Sequence, residues 1–168
     1  TSRVLARSTQ TVAGTGYTWH SAPDGGACFA NGTGWIYVSN SEMSSGGGGA
    51  SALRFNSSGS ITGASRILSG TTNCSGGATP WGTWLSCEET DLGYVYETDP
   101  FGVNAAVRRP AMGRFSHEAA AVDPDPSKNH VYLTEDAEDG RFYRFTPATV
   151  TGGPSDLNAG TLAAAQLS

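Results

Sequence analysis

Acidic, amide and thiol side chains recur where apolar runs end in this chain. Asn40 and Glu42 close GWIYVSNSE (34–42); Cys87, Glu88 and Glu89 close GTWLSCEET (82–90); Glu135 and Asp136 close NHVYLTED (129–136). Overlaying the three segments makes Asn40, Cys87 and Glu135 equivalent, with Glu42 and Glu89 two residues further on. Carboxylates gathered in one place repel one another and are costly to bury unpaired, a cost that bound cations relieve. Carboxylate and amide oxygens suit hard ions such as calcium, whereas a thiolate among them points to a transition metal.

A second set stands where apolar runs begin. His117 and Glu118 in GRFSHEAAAVDP (113–124) precede an alanine-rich run, and Asp24 with Gly25 holds the comparable place before ACFA. Each residue alone has an ordinary explanation: a solvated strand-end acid, a cysteine packed as a small hydrophobe, a histidine bonded to a carbonyl. Repetition is what marks a site. No G-x-S-x-G elbow, P-loop, H-E-x-x-H or C-x-x-C competes. Ser116 and His117 are adjacent, and neighbours on an extended strand point to opposite faces.

To converge, these residues need strands set around an axis. Trp35, Trp84 and Tyr132 recur about every 48 residues, a spacing that suits propeller blades. Each repeat pairs an apolar strand with an aromatic one: SALRFN (51–56), GYVYETDP (93–100) and RFYRFTP (141–147). A fourth strand follows at 61–68, 105–112 and 160–167, and a first precedes at 25–30, 78–82 and 117–123. The pattern predicts an all-β fold, three four-stranded propeller blades at about 19–68, 74–112 and 113–168, in a single domain over 1–168. Gly46–Gly49 reads as a flexible hairpin loop and DPDPSK (123–128) as a rigid turn. A β-sandwich would leave the repeat and its polar ends unaccounted for. Closed propellers have about four to eight blades, so three make part of a ring.

Composition agrees. Charged residues are 15% of the 168 and glycine supplies 23, which suits short strands and many turns rather than long helices or disorder. The net charge of −5 lacks the basic face of a nucleic-acid-binding protein. No apolar run approaches a membrane span, and no signal-peptide pattern stands within these residues, so any such segment is expected to have been removed or left out. Cys28 and Cys74 lie in small, polar surroundings and are expected to pair as a disulfide, leaving Cys87 free; the alternative is three free thiols. Asn31, Asn56 and Asn73 each open an N-x-S/T triplet and read as surface-turn markers.

PWGTWLSCEET (80–90), GRFSHEAAAVDP (113–124) and VYLTEDAEDGRFYRFTP (131–147), with the layout of DGGACFANGTGWIYVSNSE (24–42), resemble the signature segments of PhoX-type alkaline phosphatases. The resemblance implies a six-bladed, usually exported propeller, secreted or periplasmic. At its channel mouth, iron and calcium would hydrolyse phosphate monoesters. It makes Cys87 the thiolate iron ligand with Glu88 or Glu89 beside it, and Glu118 an iron or calcium ligand. Asn40, Glu42, Glu135 and Asp136 would serve calcium or its surroundings, and His117 and Asp24 would support the ligands. The sequence stops after the third blade, where the family continues for about as long again, so an arginine and a further glutamate of the family have no matching position. The implied partners are a phosphate monoester and a completing propeller half, a second copy or another chain. The alternative is a non-catalytic, secreted, calcium-stabilised propeller that acts as a binding or structural module.

Overall fold

A computed structural model describes residues 2–150 and 153–166; Leu167, the last residue of the expected final strand, lies outside them. Twelve strands form three antiparallel sheets, each paired in chain order. The first holds β1 (Pro23–Asn31), β2 (Gly34–Ser41), β3 (Gly48–Phe55) and β4 (Ile61–Gly70). The second holds β5 (Asn73–Ala78), β6 (Trp84–Glu88), β7 (Val95–Thr98) and β8 (Val107–Arg108). The third holds β9 (His117–Val122), β10 (Val131–Glu135), β11 (Phe142–Pro147) and β12 (Gly160–Ala164). These are three propeller blades, with β5 packed between β1 and β9 as the innermost strands.

Alternation along the strands builds the layers between blades. On β2, Ile36 and Val38 face the second blade and join Phe29, Ala52, Leu68 and Trp84. On β6, Leu85 and Cys87 face the third blade and join Val95, Met112, Phe115, Leu133 and Phe145. Trp35 and Tyr37 turn to the other side of blade one, where Val12 and Trp19 of the N-terminal segment cover Leu53 and Phe55. The innermost strands approach closely because small residues line them. A Cβ on Gly77 would lie 1.7 Å from the carbonyl oxygen of Ala120 on β9, and one on Gly25 would lie 2.7 Å from the Ser75 Cα on β5.

The three innermost strands share an irregularity. Pairing runs Pro23↔Ser41 then Gly26↔Ser39; Asn73↔Glu88 then Gly76↔Ser86; and His117↔Glu135 then Ala120↔Leu133. Two residues therefore face one at 24–25, 74–75 and 118–119, a β-bulge repeated at the same place in each blade. Such bulges re-aim side chains next to functional sites.

Several expectations are corrected. The inner strand of blade two is Asn73–Ala78, not 78–82: TPWG forms a turn closed by Thr79 and Thr83, with Gly82 at φ +86°. Gly48 and Gly49 already belong to β3, so the loop of blade one ends at Gly47. Asn73 is buried on β5 rather than in a surface turn. The Cys28–Cys74 disulfide is not formed, and all three cysteines are free. Cys28 faces the outer side of blade one with Trp35 and Tyr37, while Cys74 turns toward the third blade.

Candidate metal centre

An antiparallel meander brings the start of each first strand and the end of each second strand to one edge of its sheet. The second residue of each innermost strand is Asp24, Cys74 or Glu118, and each is the leading residue of its bulge. The residue just after each second strand is Glu42, Glu89 or Asp136. Six side chains of types that can ligate a metal thus occupy two sets of equivalent positions at one end of the three blades.

Cys74, Glu89 and Glu118 converge, with one ligand atom from each within 4.8 Å of the others. The Cys74 thiol donates to Glu118, its Sγ 3.4 Å from both carboxylate oxygens. Asp136 lies against Glu89, and the charge of Asp24 reaches Cys74 from the first blade. Burial lifts the Glu89 carboxyl to about 7, helped by Asp136 and Glu118. Burial likewise pushes the Cys74 thiol up, with Glu89 and Glu118 adding to it. Glu89 and Cys74 hold their protons chiefly because burial disfavours the charged forms, and neighbouring carboxylates add to it. This is the electrostatic setting in which a cation replaces protons.

The profile of the alkaline phosphatase PhoX family matches residues 31–92 and 90–168. The chain belongs to the PhoX alkaline phosphatase family. Its fold is similar to that of a solved structure, Pseudomonas fluorescens PhoX in complex with vanadate, a transition state analogue. That likeness has a TM-score of 0.67 at 19% identity, over 84% of this chain and 45% of the other. The chain therefore spans less than half the length of that PhoX protein. No curated protein matches the chain.

Within this PhoX-family chain, the structure separates residues that the sequence pattern groups together. Glu89, Glu118, Asp136 and Asp24 gather around Cys74. Cys87, expected as the thiolate ligand, is wholly buried between blades two and three, and burial pushes its thiol up. It faces the core rather than the cluster, and Cys74 supplies the thiol there. Glu88 accepts from the Thr71 and Tyr94 amides, which ties the β4–β5 connection to the β6–β7 connection. Glu135 accepts from the Tyr143 hydroxyl at 2.9 Å and from the Arg141 amide. Glu42 is exposed, its amide donating to the Ala22 carbonyl. Asn40 is wholly buried, and its amide group is engaged by protein atoms on both sides.

His117 is buried with its ring 3.7 Å from that of Phe115, and its Nε2 lies 3.4 Å from the Gly113 carbonyl oxygen. Burial lowers it to about 4, so it is neutral at pH 7. The residue of this cluster that sequence reasoning does not place there is Cys74. Its signal is positional: Asp24 and Glu118 stand at strand entrances, and Cys74 holds that place in blade two.

Proposed function

We propose that this chain carries part of the site of a metal-dependent phosphomonoesterase, in which Cys74 and Glu118 would hold iron and Glu89, against Asp136, would stand beside them. The observation that carries this reading is the convergence of Cys74, Glu89 and Glu118 at the bulged strand entrances of a PhoX-family propeller. The donor set fits: a buried thiol among carboxylates suits a transition metal, and the oxygen-only donors Asp24 and Asp136 beside it suit calcium. When bound, such ions supply the positive charge that phosphate oxygens require during hydrolysis. The protein's own contribution is to fix the donors through the bulges and to exclude water from the thiol by burial.

The substrate class is a phosphate monoester, and the site of action is secreted or periplasmic. No helix among the described residues is long and apolar enough to cross a membrane. The outward side of blade three presents Phe142, 49% exposed and stacked on Tyr132. That side supports completion of the ring by further propeller sequence, a second copy or another chain.

The test is iron and calcium analysis of the purified protein, followed by release of phosphate from p-nitrophenyl phosphate. Iron that disappears in Cys74→Ala supports the reading. A colourless protein that binds calcium alone and releases no phosphate would replace it with a calcium-stabilised binding module.

A further inference from the structure

The bulge that presents Cys74 removes Cys74 and Ser75 from the regular ladder with β6. Both of their carbonyl oxygens are met from the neighbouring blade. The Nδ2 of Asn40, on β2, donates to the Cys74 carbonyl at 3.1 Å and to the Ser75 carbonyl at 2.8 Å. The Oδ1 of Asn40 accepts from Trp84 Nε1 at 2.9 Å and from Ser86 Oγ at 2.8 Å, both on β6. Ser86 in turn accepts from Asn73 Nδ2, one residue before Cys74. All four hydrogen-bonding places on the amide are filled, which leaves none for a metal ion. One wholly buried side chain of blade one therefore grips the two innermost strands of blade two at the bulge.

We infer that Asn40 is a positioning residue for the Cys74 thiol, setting the thiol's place in the metal cluster by holding the β5 bulge from across the blade junction. The inference rests on the reading of Cys74 as a metal ligand and goes beyond it: the ligand set of blade two is oriented by blade one. Residues that orient metal ligands typically change affinity about 10–100-fold when they are lost.

Cobalt(II) alone, titrated into the metal-free protein, reports thiolate ligation through a sulfur-to-metal charge-transfer band. Asn40→Asp keeps the acceptor for Trp84 and Ser86 and loses both donors to the bulge. Its added negative charge would by itself favour a cation, so a loss of affinity reads the lost donors. Asn40→Thr copies Thr134, the residue at the equivalent place in blade three, and provides a second variant without a new charge. Ser86→Ala removes one bond to Asn40 and the bond from Asn73 while leaving both Asn40 bonds to the bulge, and controls for simple loosening of the blade junction.

The expected result is cobalt affinity about 10–100-fold lower in Asn40→Asp and Asn40→Thr, with a weakened charge-transfer band, and near-native values in Ser86→Ala at a similar thermal midpoint. Equal affinity and band intensity in the Asn40 and Ser86 variants would overturn the positioning role. A wild-type protein that binds cobalt with no thiolate band would instead overturn the assignment of Cys74 itself.

Discussion

The Cys74 Sγ lies 3.4 Å from both oxygens of Glu118, and the two residues hold the same position on adjacent innermost strands. A thiol buried against a carboxylate favours the protonated state. The same pair becomes a soft-plus-hard donor set once a cation displaces the proton. Blades two and three thus each contribute one half of this thiol–carboxylate pair, and neither blade alone contains it.

Cys74 and Cys87 should separate cleanly when each is replaced by alanine. Cys74→Ala should lose transition-metal binding with little loss of stability, because its thiol packs against carboxylates. Cys87→Ala should keep the metal and lose about 1–3 kcal/mol, because Cys87 fills the layer with Leu85, Val95 and Phe115. Metal analysis beside urea denaturation reads both. Loss of metal in Cys87→Ala alone would return the thiolate to that residue.

Glu89 makes the metal-free protein sensitive to pH in a defined direction. Its carboxyl titrates near 4.5 when unfolded and near 7 when folded, so between these values the native state holds more protons. The contribution to stability is complete below about 4.5 and is lost as pH rises through about 7. The difference in urea midpoint between the wild type and Glu89→Gln should change across that interval and level off above it. Saturating metal should remove the change. Parallel curves for the two proteins would refute this account of the carboxylate cluster.

The buried histidines act with the opposite sign. Burial lowers both His20 and His117 from 6.5 to about 4, so each is neutral in the native state. The stability tied to their neutrality is present above pH 6.5 and falls as pH drops toward 4. His117→Phe, which keeps a ring beside Phe115, should flatten this acid limb and remove a buried Nδ1 that lacks a partner. Chemical denaturation at pH 7 and pH 5 measures it, and an unchanged slope would show that His117 charges without cost.

Much of the fold is legible in the sequence because strand alternation and the 48-residue recurrence are one-dimensional signals. Trp35, Trp84 and Tyr132 mark the second strand of each blade, as their spacing suggests. The site is legible only in part. Glu89, Glu118, Asp136 and Asp24 fall where acidic strand ends are expected to converge. Cys87 is misplaced by the overlay, which equates it with Glu135, whereas pairing makes Glu88 the counterpart of Glu135. A shift of one residue on a strand exchanges core for solvent. Cys74 resembles a disulfide partner because a bulge carries no signature of its own in a single sequence. Its small, polar neighbours Ser75, Gly76 and Gly77 look like a loop, yet they let β5 pass close to β1, β6 and β9.

Gly77 turns that last point into a measurement. Its Cβ would lie 1.7 Å from the Ala120 carbonyl oxygen, a backbone atom on a neighbouring innermost strand that has no flexible end to swing away. Gly77→Ala must therefore push β5 from β9, and overpacking of this kind costs about 1–3 kcal/mol. The same displacement separates Cys74 from Glu118, so metal affinity should fall together with stability. Gly63 on β4 is the matched control: its Cβ would meet only Arg54 side-chain atoms, the nearest at 3.7 Å. Gly63→Ala should leave metal binding intact and hold or slightly raise stability by restricting the unfolded chain. Thermal denaturation and cobalt titration of the two variants separate the outcomes. If Gly77→Ala matched Gly63→Ala in both, the close approach of β5 to β9 would not be what holds the thiol against Glu118.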